Sequence, residues 1–336
     1  MRIAVVGSFG PSQLAGSYSA GFRSLGHDVH EVHHDLGRIG SRLIGDSLGK
    51  LAGRVARVEL GRRVLAQMRP VDLVVVCKGA GLDPNCLRRV RDYTPALVNV
   101  FPDDPFNVNG SSSYPHVLET LPLYDTYFVW SRRLVDRVRA AGAPRAEYLA
   151  FGTDPAMFHP IDLSEEERAR YGAPVSFVGN WDPERERWLE AASTFGLAIW
   201  GANWSRARSR NVRAAWRGSD LYGGELLKAL SASDIQLNIL RAQNKSGHNM
   251  RTFEVPATGA FLLTERSPDL ELLFRENLEV AAFGTVEELR EKLAFFRANP
   301  AERARIAAAG RRRALEQTYR HRCQELLDRS GLAGPA

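Results

Sequence analysis

The sequence predicts an α/β protein built from two Rossmann-like domains, their parallel sheets facing across a cleft, with a last helix crossing back to the first domain. Three observations carry that expectation. Short apolar runs alternate with helix-period runs along the whole chain, the pattern of βαβ units and parallel sheets. The 336 residues exceed one ordinary core and suit two domains. Residues 151–160 are rich in Gly and Pro, belong to neither periodic pattern, and read as a linker. The expected division is 1–155, 156–318, and a C-terminal helix and tail over 319–336.

The elements follow in order. An apolar strand over 3–6 turns at Gly7 into a helix over 13–25. Strand 28–32 leads to a long basic helical region over 40–67. Strands over 72–77, 96–100, 125–130 and 146–150 complete the first set, with a helix over 131–141. The second set comprises strands 175–178, 197–200, 235–239, 260–263 and 280–282. Helices over 183–194, 223–231, 286–298 and 301–317 lie between them, and 319–329 forms the last. Pro183 fits a first helical position, and Gly259 stops a short helix that opens near Arg251.

Composition narrows the class. Hydrophobic residues at 44% and charged residues at 25% exclude wholesale disorder. No apolar run approaches the roughly 20 residues of a membrane span. The opening Met-Arg-Ile-Ala-Val-Val-Gly reads as a core strand, not a signal peptide. Cys77, Cys86 and Cys323 lack metal-binding spacing and are expected to be reduced, in a cytoplasmic protein. The net charge is +6. Arg38, Arg42, Lys50, Arg54, Arg57, Arg62, Arg63 and Arg69 cluster against only Asp46 and Glu59. That basic stretch is either a solvated helix face or a contact for an anionic surface. It lacks the interleaved aromatics of single-stranded nucleic-acid sites.

In open parallel sheets, ligands bind at the carboxyl ends of strands. In the first domain those ends carry Ser8, Lys78, Asp103 and Asp104. Lys78 suits a phosphate or an acidic acceptor. Asp103 and Asp104 are the acid/base candidates, capping of the turn at Pro105 being the other reading for each. In the second domain Gly179 and Asn180 end the first strand, and Arg185 can meet a diphosphate bidentately. The richest segment is 247–265. His248, Asn249 and Arg251 lie at or before a short helix whose N–H groups and dipole suit a phosphate. Glu254, one turn on, suits the two hydroxyls of a ribose. The first-strand loop lacks the third glycine of a dinucleotide fingerprint, and there is no Walker A sequence, no Gly-x-Ser-x-Gly and no zinc spacing.

Several motifs together resemble one family. Residues 151–160 resemble the G-x-D-x-x-x-F-x-P linker of glycosyltransferases with the GT-B fold. Phe177-Val-Gly-Asn180 is similar to the opening strand and phosphate loop of their donor domain. Asn249-Met-Arg-Thr-Phe-Glu254, followed by Gly259, resembles the donor motif of the branch related to spore maturation protein CgeB. Phe101-Pro-Asp-Asp-Pro105 and Tyr319-Arg-His-Arg322 are also similar to that branch.

The resemblance implies that the first domain binds an acceptor and the second a nucleoside-diphosphate sugar. Glu254 would hold the ribose, the 247–251 loop would meet diphosphate and sugar, and Tyr222 would flank the base. No metal and no cofactor beyond the sugar nucleotide would be needed. Base, sugar and acceptor stay open; the acceptor is a glycan, lipid-linked intermediate, small molecule, protein or modified nucleic acid. Many retaining members carry E-x7-E; the first glutamate would fall at Ser246, so retaining and inverting outcomes both stay open. The expected function is sugar transfer to a hydroxyl. The alternatives are a non-hydrolysing sugar-nucleotide epimerase and a non-catalytic protein of this fold in surface assembly.

Overall fold

The computed structural model describes residues 1–10, 13–34, 50–108 and 113–332. Arg38, Arg42 and Asp46 of the basic stretch lie outside the described residues, as do the side chains of Lys50 and Arg54. Contacts divide the chain into two compact units: unit 1 is Met1–Ala150 with Tyr319–Ala336, and unit 2 is Phe151–Thr318.

Unit 1 holds a six-stranded sheet. Its strands are β1 (Arg2–Gly7), β2 (Asp28–His33), β3 (Leu73–Cys77), β4 (Leu97–Phe101), β5 (Thr126–Val129) and β6 (Ala146–Tyr148). The order is β2-β1-β3-β4-β5-β6, with every pairing parallel. The β1, β3 and β4 side chains are buried almost throughout, as sheets covered by helices on both faces require. The Tyr319–Arg329 helix returns to this unit and packs on the Leu14–Ser24 helix. The Tyr18 and Tyr319 rings meet edge-on at 5.4 Å, and the Cys323 thiol lies 3.4 Å from the Tyr18 carbonyl. Gly21 permits this approach, since a Cβ there would sit 2.7 Å from Cys323 Sγ. Cys77, Cys86 and Cys323 are unpaired and buried, and burial pushes each thiol up.

Unit 2 holds a second all-parallel sheet of β7 (Val175–Val178), β8 (Leu197–Trp200), β9 (Trp216–Gly218), β10 (Ile235–Asn238), β11 (Leu262–Glu265) and β12 (Ala281–Phe283). The order is β12-β11-β10-β7-β8-β9. The short β9 is absent from the sequence expectation, because three residues including Arg217 carry no apolar run. Val175, Phe177, Ile199, Leu237, Leu263 and Phe283 point to one face and meet Trp188 and Leu189 of the Pro183–Ala192 helix. Thr153 pairs with Thr318, so the chain enters and leaves unit 2 side by side. Among the described residues no helix is long and apolar enough to cross a membrane.

The strand order locates the site in unit 2. The chain runs outward from β7 through β8 to β9, then returns to the other side of β7 and runs outward from β10 to β12. The switch point is therefore between the carboxyl ends of β7 and β10, where loops diverge and where open parallel sheets bind their ligands.

Candidate active site at the switch point of unit 2

Two loops define the gap: residues 179–182 after β7 and residues 239–250 after β10. Asp182 caps the Pro183–Ala192 helix, accepting from the Glu184 N–H at 2.9 Å. That places Arg185 in the first turn, aimed back across the strand ends. Its side chain is buried, and Nε donates to the Ile239 carbonyl at 3.0 Å while a terminal nitrogen donates to the Asn180 carbonyl at 3.1 Å. One guanidinium thus ties both sides of the switch point together. Burial, then the positive charges of Arg241 and Arg251, lower its pKa to about 9, against the pull of Asp182.

Gly179 is required by this packing. A Cβ there would lie 2.9 Å from the Phe177 ring and 3.3 Å from the Arg185 guanidinium. Its carbonyl accepts the Trp204 indole N–H at 2.8 Å. Asn180 Oδ1 accepts from the Ala202 N–H at 3.2 Å, fastening the β7 loop to the β8 loop. Both residues shape the floor of the gap.

Across the gap, a buried polar cluster holds the second loop. The Asn238 amide nitrogen lies 3.1 Å from Asn249 Oδ1, 3.0 Å from Thr252 Oγ1 and 3.2 Å from Thr264 Oγ1. Asn249 returns a bond to Asn238 Oδ1 at 3.0 Å. Asn249 therefore faces the strand end and fixes the loop. His248 is buried with Nδ1 2.9 Å from Thr252 Oγ1, and burial lowers its pKa to about 3.

The Arg251–Ala257 helix starts where the sequence placed it, and Gly259 ends it with φ +81°. Its N-terminus corrects one expectation. The N–H groups of Thr252, Phe253 and Glu254 are bonded to the carbonyls of Asn249 and Met250, at 3.2, 2.9 and 3.0 Å. The preceding turn takes up the Thr252 and Phe253 donors, so this helix end offers fewer free N–H groups than expected. Side chains add positive charge at this edge. Arg251 pairs with Glu254, whose side chain is buried; burial raises the Glu254 carboxyl while Arg251 pulls it down. Arg251 Nε and His248 Nε2 are both buried and make no hydrogen bond within the protein.

Three further residues had no role assigned from sequence, although Arg241 and Glu265 stand in strand-end segments, 238–241 and 264–265, that the sequence offers. Glu265, at the end of β11, accepts from the Leu240 N–H at 3.0 Å and pairs with Lys245 at 3.2 Å. Burial raises its carboxyl, and Lys245 opposes that. Lys245 also pairs with Glu184 from the opposite side of the gap. Arg241, partly exposed, forms no ion pair among the described residues. Their positions just past strand ends were the available signal. Tyr222 is 56% exposed, immediately before the Gly223–Ser231 helix.

The first-domain candidates sit at the strand ends of unit 1. Ser8 follows β1. Lys78 follows β3 in a left-handed conformation, φ 63°, uncommon for a residue with a side chain. Its ammonium meets Asp103 at 2.8 Å. Asp104 Oδ1 accepts from the Phe106 N–H at 2.9 Å, and Oδ2 lies 3.7 Å from Arg137. Asp104 thus has the turn-capping role given above as its other reading.

Comparison with known proteins gives the class first. Sucrose-phosphate synthase from Thermosynechococcus elongatus superposes with a TM-score of 0.68 at 12% identity, over 99% of this chain and 100% of that one. Anabaena HepE, solved with UDP and glucose, matches with 0.65 at 12% identity, over 99% and 100%. AviGT4, a glycosyltransferase of avilamycin A biosynthesis, matches with 0.59 at 15% identity, over 98% and 97%. The fold is thus that of GT-B glycosyltransferases. More particularly, residues 185–328 match the "Glycosyl transferase-like" family model, which begins at Arg185 and takes in the whole 239–265 segment. No curated protein matches the chain in sequence.

Proposed function

We propose that this protein is a glycosyltransferase that moves a sugar from a nucleoside-diphosphate donor held by unit 2 to a hydroxyl-bearing acceptor. The observation that carries the reading is the crowding of Arg185, Arg241 and Arg251 at the switch point. Burial first, and then the charges of Arg241 and Arg251, hold Arg185 below the usual guanidinium range, and a bound diphosphate would offset that concentration of positive charge. Buried N–H groups at His248 and Arg251 that the protein leaves unsatisfied point the same way. Support comes also from the match of residues 185–328 to a glycosyl transferase-like family and from a structural neighbour solved with UDP-glucose.

In this reading the acceptor oxygen attacks the anomeric carbon, and the bond from that carbon to the diphosphate breaks with its electron pair on the departing oxygen. Arg185, Arg241 and Arg251 stabilise that charge, with Lys245 once the anion replaces its carboxylate partners. Side chains supply the positive charge, so the reaction is proposed to need neither metal nor cofactor. Glu254 holds the ribose hydroxyls and Tyr222 flanks the base. Asp103, oriented by Lys78, is the proposed base on the acceptor side; Asp104 is left to its turn. The finer assignment is a cytoplasmic member of the CgeB-related branch.

Thermal unfolding with UDP, GDP, dTDP and ADP tests the donor site. A ligand at a hundredfold excess over Kd adds about 2.7 kcal/mol. One nucleotide should stabilise the protein, and Arg241→Ala should abolish the effect. Failure of all four nucleotides, with no donor turnover, would overturn the proposal.

A further inference from the structure

Between β8 and β9, at the sheet edge of unit 2, five arginines fall within residues 206–217: Arg206, Arg208, Arg210, Arg213 and Arg217. All are exposed. Among the described residues none forms an ion pair. Arg213 donates to the Ala207 carbonyl at 3.1 Å and Arg217 to the Gly172 carbonyl at 2.8 Å, while Arg206 lies over the Trp181 ring at 4.6 Å. Elsewhere in the same unit arginines pair with carboxylates: Arg266 with Glu276 and Glu288, Arg275 with Glu279, Arg305 with Glu302.

The nearby carboxylates are occupied. Glu186 accepts from the Trp181 indole at 2.9 Å and from the N–H groups of Arg208 and Ser209 at 2.6 and 2.8 Å. Glu190 accepts from the Ser209 hydroxyl and, at 3.0 Å, from Asn211. The acids are drawn onto neutral donors, and the guanidiniums are left to face outward. Beside them opens a cavity of about 400 Å³, lined by Trp181, Pro183, Arg187, Arg208, Ser209 and the two occupied carboxylates Glu186 and Glu190, which can also accept from the hydroxyls of a sugar ring. Arg187 is exposed and also forms no ion pair among the described residues.

The surroundings discriminate between anionic partners. Trp204 is buried, Trp216 is half-buried, and Arg206 lies over one face of the Trp181 ring that lines the cavity, so the strip lacks the row of aromatic faces on which successive bases stack. It exposes no large hydrophobic side chain among the described residues, so it lacks the apolar component of a membrane-binding face. A chain with carboxylates along it and sugar-sized rings fits both the guanidinium forks and the cavity.

We propose that the Arg187 and 206–217 strip binds an acidic glycan, with guanidiniums pairing its anionic groups and one sugar ring seated in the cavity. In sheet order residues 206–217 lie on the β8–β9 side of β7, and the cavity shares Trp181 with the 179–182 loop that borders the β7–β10 gap. The choice of a glycan rests on the transferase reading, in which such a chain is the acceptor or the product.

The test is calorimetric titration of the whole chain with an oligogalacturonate. A neutral malto-oligosaccharide, an oligothymidylate of equal charge and phosphatidylserine vesicles serve as the other arms. The oligogalacturonate should bind most tightly, weaken as salt rises, and lose about tenfold or more in affinity when Arg187→Gln, Arg208→Gln and Arg210→Gln are combined. Unchanged binding by the triple variant would overturn the proposal, as would equal or tighter binding of oligothymidylate or vesicles. Stabilisation by UDP, GDP, dTDP and ADP is measured on the same samples. Losing that alone would defeat the donor site and leave the strip standing.

Discussion

Acidification should destabilise unit 2 through His248. The imidazole is 2% exposed. Burial takes its pKa from 6.5 to about 3. The folded state therefore binds this proton more weakly than the unfolded chain. The group's contribution is fully present above pH 6.5 and is lost as pH falls from 6.5 towards about 3. With those two values, the loss is about 2 kcal/mol at pH 5 and about 5 kcal/mol once both states are protonated. Glu254 and Glu265 work in the opposite direction, because burial raises both carboxyls and acid favours their neutral forms. Subtracting a His248→Gln variant removes those terms. Five of the six tryptophans lie in unit 2, so fluorescence-detected urea unfolding reports chiefly on that unit. Between about pH 7.5 and pH 5 the unsubstituted protein should lose about 2 kcal/mol more than the variant. Equal losses in the two proteins, or a titration above about pH 5 of the imidazole resonance that His248→Gln removes, would refute the reasoning.

Other substitutions test the packing. Arg251→Ala strands the buried Glu254 carboxyl and should cost about 3 kcal/mol in urea unfolding, with Glu254→Gln restoring much of it; a loss below about 1 kcal/mol would count against a buried pair. Gly201 has φ +143°, and a Cβ there would lie 2.1 Å from the Gly179 carbonyl. Gly201→Ala should cost about 3 kcal/mol, whereas Gly224→Ala, with open space around it, should be neutral or stabilise by about 0.5 kcal/mol; thermal unfolding of the pair decides. Gly21→Ala drives a Cβ to 2.7 Å from Cys323 Sγ and 2.8 Å from the Tyr319 carbonyl. It should loosen the C-terminal helix and expose 319–332 to limited proteolysis while leaving unit 2 intact.

Much of the candidate site was legible because its signals are local. The helix at Arg251, the stop at Gly259 and the place of Glu254 one turn into that helix follow from residue type and period over a dozen positions; the burial of Glu254 does not. Asp104 was also legible, as the turn cap that the following Pro105 suggested. That two of the helix-end donors, Thr252 and Phe253, are taken up was not legible, since the backbone turn over 249–250 leaves no trace in side-chain pattern. Asn249 turned inward for a similar reason: its partner, Asn238, belongs to another element. Strand β9 escaped because edge position and three-residue length replace apolar periodicity with a single ladder.

The sequence by itself determined the two-domain α/β plan, the parallel strands and the identity of most strand-end residues, because periodicity and turn chemistry act between neighbours. Only the tertiary structure decided which strand ends meet. Arg185 reaches the Ile239 carbonyl across 54 positions, and Lys245 reaches Glu184 across 61. Those contacts exist because the chain returns to pair β10 with β7. That pairing also brings Arg241 to Arg185, and it gathers basic residues scattered in the sequence at one switch point.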